Sequence, residues 1–266
     1  RQNSCLLTLN ALILGKKLWR KKMENHLTRL KLYFFYFVII IGYLILPSIA
    51  SAITGFSSGA VVTAFSQVVF IVLSFMMINR YRLNKFWHFE KLSGAKMPPL
   101  LLLLPAIFPI AADLLFMRVG DFSFQKLGIS LITSSLTGIT EEFVFRGVLL
   151  SGFLLVYQSK GIWKPIMISS FLFGAVHFLN LLSTTQVSPK LVILQVVYAT
   201  FLGVFLASQF LVSKNLLLPI VTHTLIDLFS FVEHPLNGTQ TVVFLLLYGI
   251  VPLIFGVYFL MRGKSK

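Results

Sequence analysis

The chain has 266 residues, 57% of them hydrophobic and 12% charged, with a mean hydropathy of +0.88. A soluble globule carries about 25% charged residues, so the composition excludes one and requires a polytopic helical membrane protein. The net charge of +15 would point to nucleic acid in a soluble protein, but in a membrane chain it is accounted for by basic connections on one side of the bilayer.

In chain order, residues 1–22 precede Met23, whose MENHLTRLKLYFFYFVII has the form of an ordinary membrane-protein start, a short basic lead followed by a span. Residues 1–22 are therefore set aside from functional reasoning. Cys5, the single cysteine, excludes a disulfide framework and a cysteine zinc site. Apolar runs near the roughly 20 residues that cross a bilayer then recur at 33–54, 56–79, 98–117, 127–157, 163–182, 190–212, 216–232 and 240–261. The expected fold is an all-α membrane bundle of about eight transmembrane helices around an intramembrane catalytic cavity. The first span contains PSIASA, Pro47–Ala52, which resembles a signal-peptidase site; the apolar run before it is long for a signal peptide, so an uncleaved span is expected. Pro98, Pro99, Pro105 and Pro109 start and bend the third span. The fourth is too long for one straight crossing and is expected to tilt, bend or break near Gly138.

Nineteen of the 23 Lys and Arg fall on one side of this arrangement, three on the other, and Arg146 lies inside a span. The basic side takes both termini, the connection 80–97 and the turns near 160 and 214, which makes it cytoplasmic. The chain then divides into a cytoplasmic segment at 1–32, N-terminal helices at 33–126, a core at 127–232, and a last helix with its tail at 233–266.

Most acidic residues lie at span ends or in connections: Glu24, Glu90, Asp121 and Glu233, with Asp113 nearer the outer end of the third span. Glu141, Glu142, Asp227 and Arg146 lie well inside spans. Left unpaired, four such groups would cost on the order of 10 kcal/mol, so they must pair or face a wet cavity. Glu142 and Arg146 are separated by four residues and share a helix face. Glu141 sits about 100° around the helix and is left for another task. An internal salt-bridge knot that only fixes helix packing is the plainer alternative. His177 in FLFGAVHF, and His223 with Asp227 in VTHTLIDLF, add groups that suit water activation, metal binding or oxyanion stabilisation.

Glu141-Glu142-x-x-x-Arg146, Phe173-x-x-x-His177 and His223-x-x-x-Asp227, each on its own span, resemble the three motifs of the CPBP intramembrane protease family. That family contains type II CAAX prenyl endopeptidases and bacterial relatives linked to bacteriocin processing and self-immunity. The resemblance implies a membrane cavity and peptide-bond hydrolysis in a peptide or membrane-protein substrate. Glu141 would activate water with His177 beside it, Glu142 and Arg146 would be a supporting pair, and His223 with Asp227 would either face the reacting carbonyl or hold a metal. The last position is often asparagine in the family. An ionised aspartate donates no hydrogen bond, so Asp227 fits better as an orienter of His223 or as a metal ligand. A zinc ion on His177, His223 and Asp227 would have the three-ligand open form of a catalytic site.

Other protease patterns fail. HExxH is absent, and Gly55-Phe56-Ser57-Ser58-Gly59 lacks the strand-turn-helix setting of a nucleophile elbow. Gly120-Asp121 lacks the earlier glycine of a GxGD site. The rival functions are a proton- or ion-coupled transporter, against which stands the lack of a visible inverted repeat, and a non-catalytic immunity partner. A compact chain without a soluble domain suits a bacterial cell membrane, and no nucleic-acid partner is expected.

Overall fold

The computed structural model describes residues 29–55, 60–86, 97–116, 123–157, 161–182, 188–229 and 238–264. The expectations for residues 1–22, Met23, Cys5, Glu24, Ser57, Glu90, Asp121 and Glu233 lie outside them.

Apolar periodicity has little to organise in a chain so hydrophobic, and the helices are set by length, proline and small-residue contacts. Among the described residues there are eight helical elements. The first two are α1, Arg29–Thr54, and α2, Ala60–Tyr81. A left-handed Arg82 (φ 52°) ends α2, and a 3-10 turn follows at Leu83–Phe86. Next comes α3, Pro99–Phe116, in which a 3-10 turn at Leu104–Ala106 contains Pro105, as the prolines predict. The fourth element, α4, runs over 124–156; α5 is Trp163–Leu182, α6 is Pro189–Ser213, α7 is Leu217–Leu228 and α8 covers 238–264. This is an all-α membrane bundle.

Six of the eight are long and apolar enough to cross a membrane: α1, α2, α3, α5, α6 and α8. The other two carry the charged cluster. α4 is long but holds Glu141, Glu142 and Arg146. α7 has only 12 helical residues, about 18 Å at 1.5 Å per residue, against a hydrocarbon layer of about 30 Å. The helix expected over 216–232 is thus a short one that ends at Leu228.

The irregularity in α4 also lies elsewhere than expected. Gly138 is α-helical, and the departure comes one turn later, as a π-helix at Phe143–Leu150. There the Arg146 carbonyl accepts from both the backbone N–H and, at 2.8 Å, the Oγ of Ser151. Single-turn π segments cluster at functional sites, and this one begins immediately after the two glutamates.

Gly138 has another purpose. A Cβ on it would stand 2.5 Å from Thr224 Oγ1, 3.1 Å from the Thr224 nitrogen and 3.2 Å from the Ile220 oxygen. Its hydrogen lets α4 and α7 cross backbone to backbone. Ser130 Oγ secures the far end of the crossing by donating to the Leu228 carbonyl at 3.0 Å. On the other side of α4, Gln67 of α2 donates to Thr137 Oγ1 at 2.6 Å. Around the π segment, Phe145 sits edge-on to both Tyr36 and Phe173, within a cluster of fully buried Val148, Leu149, Phe153 and Phe210.

Candidate active site

The crossing of α4 and α7 fixes the cluster. Glu141 and Glu142 end the α-helical part of α4, and His223 and Asp227 lie on α7, one turn apart. With Gly138 holding the two backbones together, the side chains one turn further along α4 meet those of α7.

His223 is where they converge. Its Nδ1 lies 2.9 Å from Glu142 Oε1. The same oxygen accepts from Arg146 Nη1 at 2.7 Å. A carboxylate in an ion pair can only accept, so Nδ1 carries a proton and donates. The opposite ring nitrogen, Nε2, faces two more carboxylates, Asp227 Oδ2 at 3.5 Å and Glu141 Oε2 at 3.8 Å. Exposure rises across the group, from 0% for Glu142 and 4% for His223 to 12% for Glu141 and 31% for Asp227. The Nδ1 side is therefore sealed and the Nε2 side is reached from outside.

Arg146, 1% exposed, is held on three sides. Besides Glu142, its Nη2 donates to the Gly203 carbonyl of α6 at 3.1 Å, and its guanidinium lies 4.5 Å over the Phe173 ring. Gly203 permits this, since a Cβ there would meet Ser170 Cα at 3.0 Å and push α6 off α5. A planar cation with several donors suits such a place better than an ammonium does.

His177 is the second residue of the 3-10 end of α5, Val176–Leu182, which follows an α-helical part that stops at Ala175. It joins the cluster through Phe173, whose ring is edge-on to His177 at 5.7 Å and to His223 at 5.6 Å. Among the described residues the His177 ring forms no hydrogen bond.

Of the residues singled out from sequence, Arg146, His177 and His223 gather around the Phe173 ring, and Glu141, Glu142 and Asp227 around His223. The expected Glu142–Arg146 pair is present. Glu141 stands beside His223. Glu142, expected only to neutralise Arg146, also fixes the His223 ring. That contact joins positions 81 apart in sequence, and no local spacing signals it. As for zinc, among the described residues no group of three or more His, Cys, Asp or Glu is placed to hold a metal ion. His223 turns Nε2 to Asp227 and Glu141, while Nδ1 is engaged with Glu142.

Comparison with known proteins places this same segment. Residues 123–229 match the family model of the Rce1-like type II CAAX prenyl endopeptidases. The matched stretch runs from the start of α4 to the end of α7 and includes every residue of the cluster. It is the family to which the three motifs point, and the matched segment is similar to membrane-embedded endopeptidases. No curated protein and no solved structure matches the chain.

Proposed function

We propose that the chain is an intramembrane endopeptidase in which Glu141 activates water against a peptide bond, with His223 as its partner. The observation that supports this best is the asymmetry of His223. One ring nitrogen is closed off by the buried Glu142–Arg146 pair, and the other is turned to Glu141 and Asp227 on the accessible side.

In this reading Glu141 takes a proton from water as the water oxygen bonds to the scissile carbonyl carbon. The carbonyl π electrons move to its oxygen, and a positioned donor stabilises that oxyanion. His223 Nε2 serves as the donor when the ring is protonated. Collapse breaks the C–N bond, and the proton held by Glu141 passes to the leaving amine. His177 orients the water from across Phe173. Asp227 holds His223 in place from the open side.

The family name suggests peptides cut near a prenylated C-terminus. Leader removal from a bacteriocin-like peptide, or a self-immunity role in a bacterial membrane, is the finer alternative for the same chemistry. The test is cleavage of membrane-anchored peptides by the purified protein in liposomes, with product masses read by mass spectrometry. A prenylated C-terminal set and a leader-peptide set separate the substrate classes. Glu141→Gln should retain the wild-type fold and lose about 10²–10⁴ in rate, the usual contribution of a positioned general base. Cleavage by Glu141→Gln at the wild-type rate would remove the assignment.

A further inference from the structure

Helices α1 and α2 lie outside the matched residues 123–229, yet they stand against the face of α4 that carries Glu141. Gln67 of α2 donates to Thr137 Oγ1 at 2.6 Å, and about three turns further along both helices Ile78 meets Gly147. The two helices therefore run side by side in the same direction. Glu141 is four residues beyond Thr137 and shares its face, turned toward α2. Phe70 is about one turn beyond Gln67, so Phe70 and Glu141 stand at the same level. Phe70 in turn carries α1. A Cβ on Gly42 would meet Phe70 Cε1 at 2.6 Å, so the glycine lets the ring lie on bare backbone. The next residue, Tyr43, packs on the same ring, with centroids 4.6 Å apart. Tyr36, about two turns earlier on the same face of α1, is edge-on to Phe145 at 6.3 Å. α1 runs against α2, since Gly42 meets Phe70 while Lys31 lies over Tyr81, and so it runs against α4. About two turns back from Phe145 along α4 is Gly138. Tyr43 stands at that level, and its side chain leans toward the start of its own helix, which is toward Glu141.

From this placement we infer that Tyr43 is a further residue of the site, whose phenol oxygen and the Glu141 carboxylate hold the reacting water between them. The role rests on the protease reading and deepens it. Glu141 is the charged group that bears on the Tyr43 phenol. The local sequence is otherwise apolar, VIIIGYLIL. A hydroxyl in such a stretch is costly unless it serves something polar, and a phenylalanine would pack on Phe70 as well. Water has two hydrogens. Glu141 accepts one and takes it as the proton when the water oxygen bonds to the carbonyl carbon. Tyr43 Oη accepts the other, which stays on the new carboxyl group, so Tyr43 neither gains nor loses a proton. A water held by one acceptor turns about that hydrogen bond. Held by two, from α1 and α4, it keeps a lone pair aimed at the substrate, and alignment of this kind lowers the entropic part of the barrier. His223 lies on the other flank of Glu141, with its Nε2 3.8 Å from Oε2, and is left for the oxyanion.

The experiment uses the full chain in liposomes with the membrane-anchored peptides described above. Tyr43→Phe keeps the ring on Phe70 and removes only the hydroxyl. Its kcat should fall about tenfold, the scale of one hydrogen bond, with KM and the melting transition unchanged. In a Glu141→Gln background the same change should cost little more, because two groups that act on one water are not additive. A second readout needs no turnover. In chain labelled with carbon-13 glutamate, the infrared carboxyl band that disappears in Glu141→Gln should shift in Tyr43→Phe. Equal kcat in Tyr43→Phe, a full tenfold further loss in the double variant, or an unmoved Glu141 band would each overturn the role. So would a rise in KM alone, which marks a substrate contact, or a lowered melting transition that accounts for the lost rate, which marks packing. Wild-type chain that cleaves none of the peptides would remove the protease reading and this role with it. Wild-type cleavage with Tyr43→Phe equally active would remove this role alone.

Discussion

Glu142 binds His223 with the same oxygen that binds Arg146, at 2.9 Å and 2.7 Å. One carboxylate oxygen therefore neutralises a buried cation and fixes the tautomer of an imidazole on another helix. The arrangement makes α4, α5, α6 and α7 interdependent, since Arg146 also touches Phe173 and the Gly203 carbonyl.

Glu142→Gln should damage both stability and activity, unlike Glu141→Gln. The glutamine oxygen can still accept from one neighbour, but Arg146 would be left buried without its counter-charge. Breaking a buried pair in this way typically costs about 3–5 kcal/mol. A lowered melting transition in detergent, accompanied by lost cleavage, is the expected result. A variant as stable as wild type would show that the pair is not what holds Arg146.

Gly138→Ala tests whether the crossing of α4 and α7 sets the site. The added methyl would meet both a side chain and backbone of α7, the nearest atom at 2.5 Å. Overpacking of this kind costs about 1–3 kcal/mol. It should also move Glu141 away from His223, so activity should fall more than stability does. Adding Thr224→Ala removes the hydroxyl contact and should restore part of both. Full activity in Gly138→Ala alone would show that the close approach is unnecessary.

Asp227→Asn separates metal-dependent from metal-free hydrolysis by the sign of its effect. If water is activated by Glu141 and histidine alone, the asparagine amide can donate to the oxyanion where an ionised aspartate cannot. Activity then survives or rises, and chelators do nothing. If zinc is held by His177, His223 and Asp227, the variant loses metal and activity together, and a chelator silences the wild type until zinc is returned. The metal-free outcome is expected. Elemental analysis of the purified protein beside the cleavage assay checks it.

The charge distribution makes a topological prediction. Reporter fusions after residue 90 and at the C-terminus should both report the cytoplasm, because nineteen basic residues lie on that side of the proposed arrangement and three on the other. An external signal from either fusion would break the even number of crossings.

By itself the sequence determined the class of the molecule and which ionisable residues lie inside its spans. Hydrophobic runs of membrane length require helices, because a backbone in lipid must satisfy its own hydrogen bonds. The four-residue intervals Glu142–Arg146 and His223–Asp227 place partners on one helix face through local geometry alone, and both pairs are found in contact. What lay beyond the sequence was every relationship between helices. Nothing in the spacing of GITEEFVFRG and VTHTLIDLF shows that Glu142, rather than Asp227, holds His223 Nδ1, or that Gly138 is a crossing point and the π segment begins after the glutamates. Those features depend on how closely two backbones approach and in what rotation. Sequence period fixes which residues share a face of one helix; only packing decides which face of the next helix it meets.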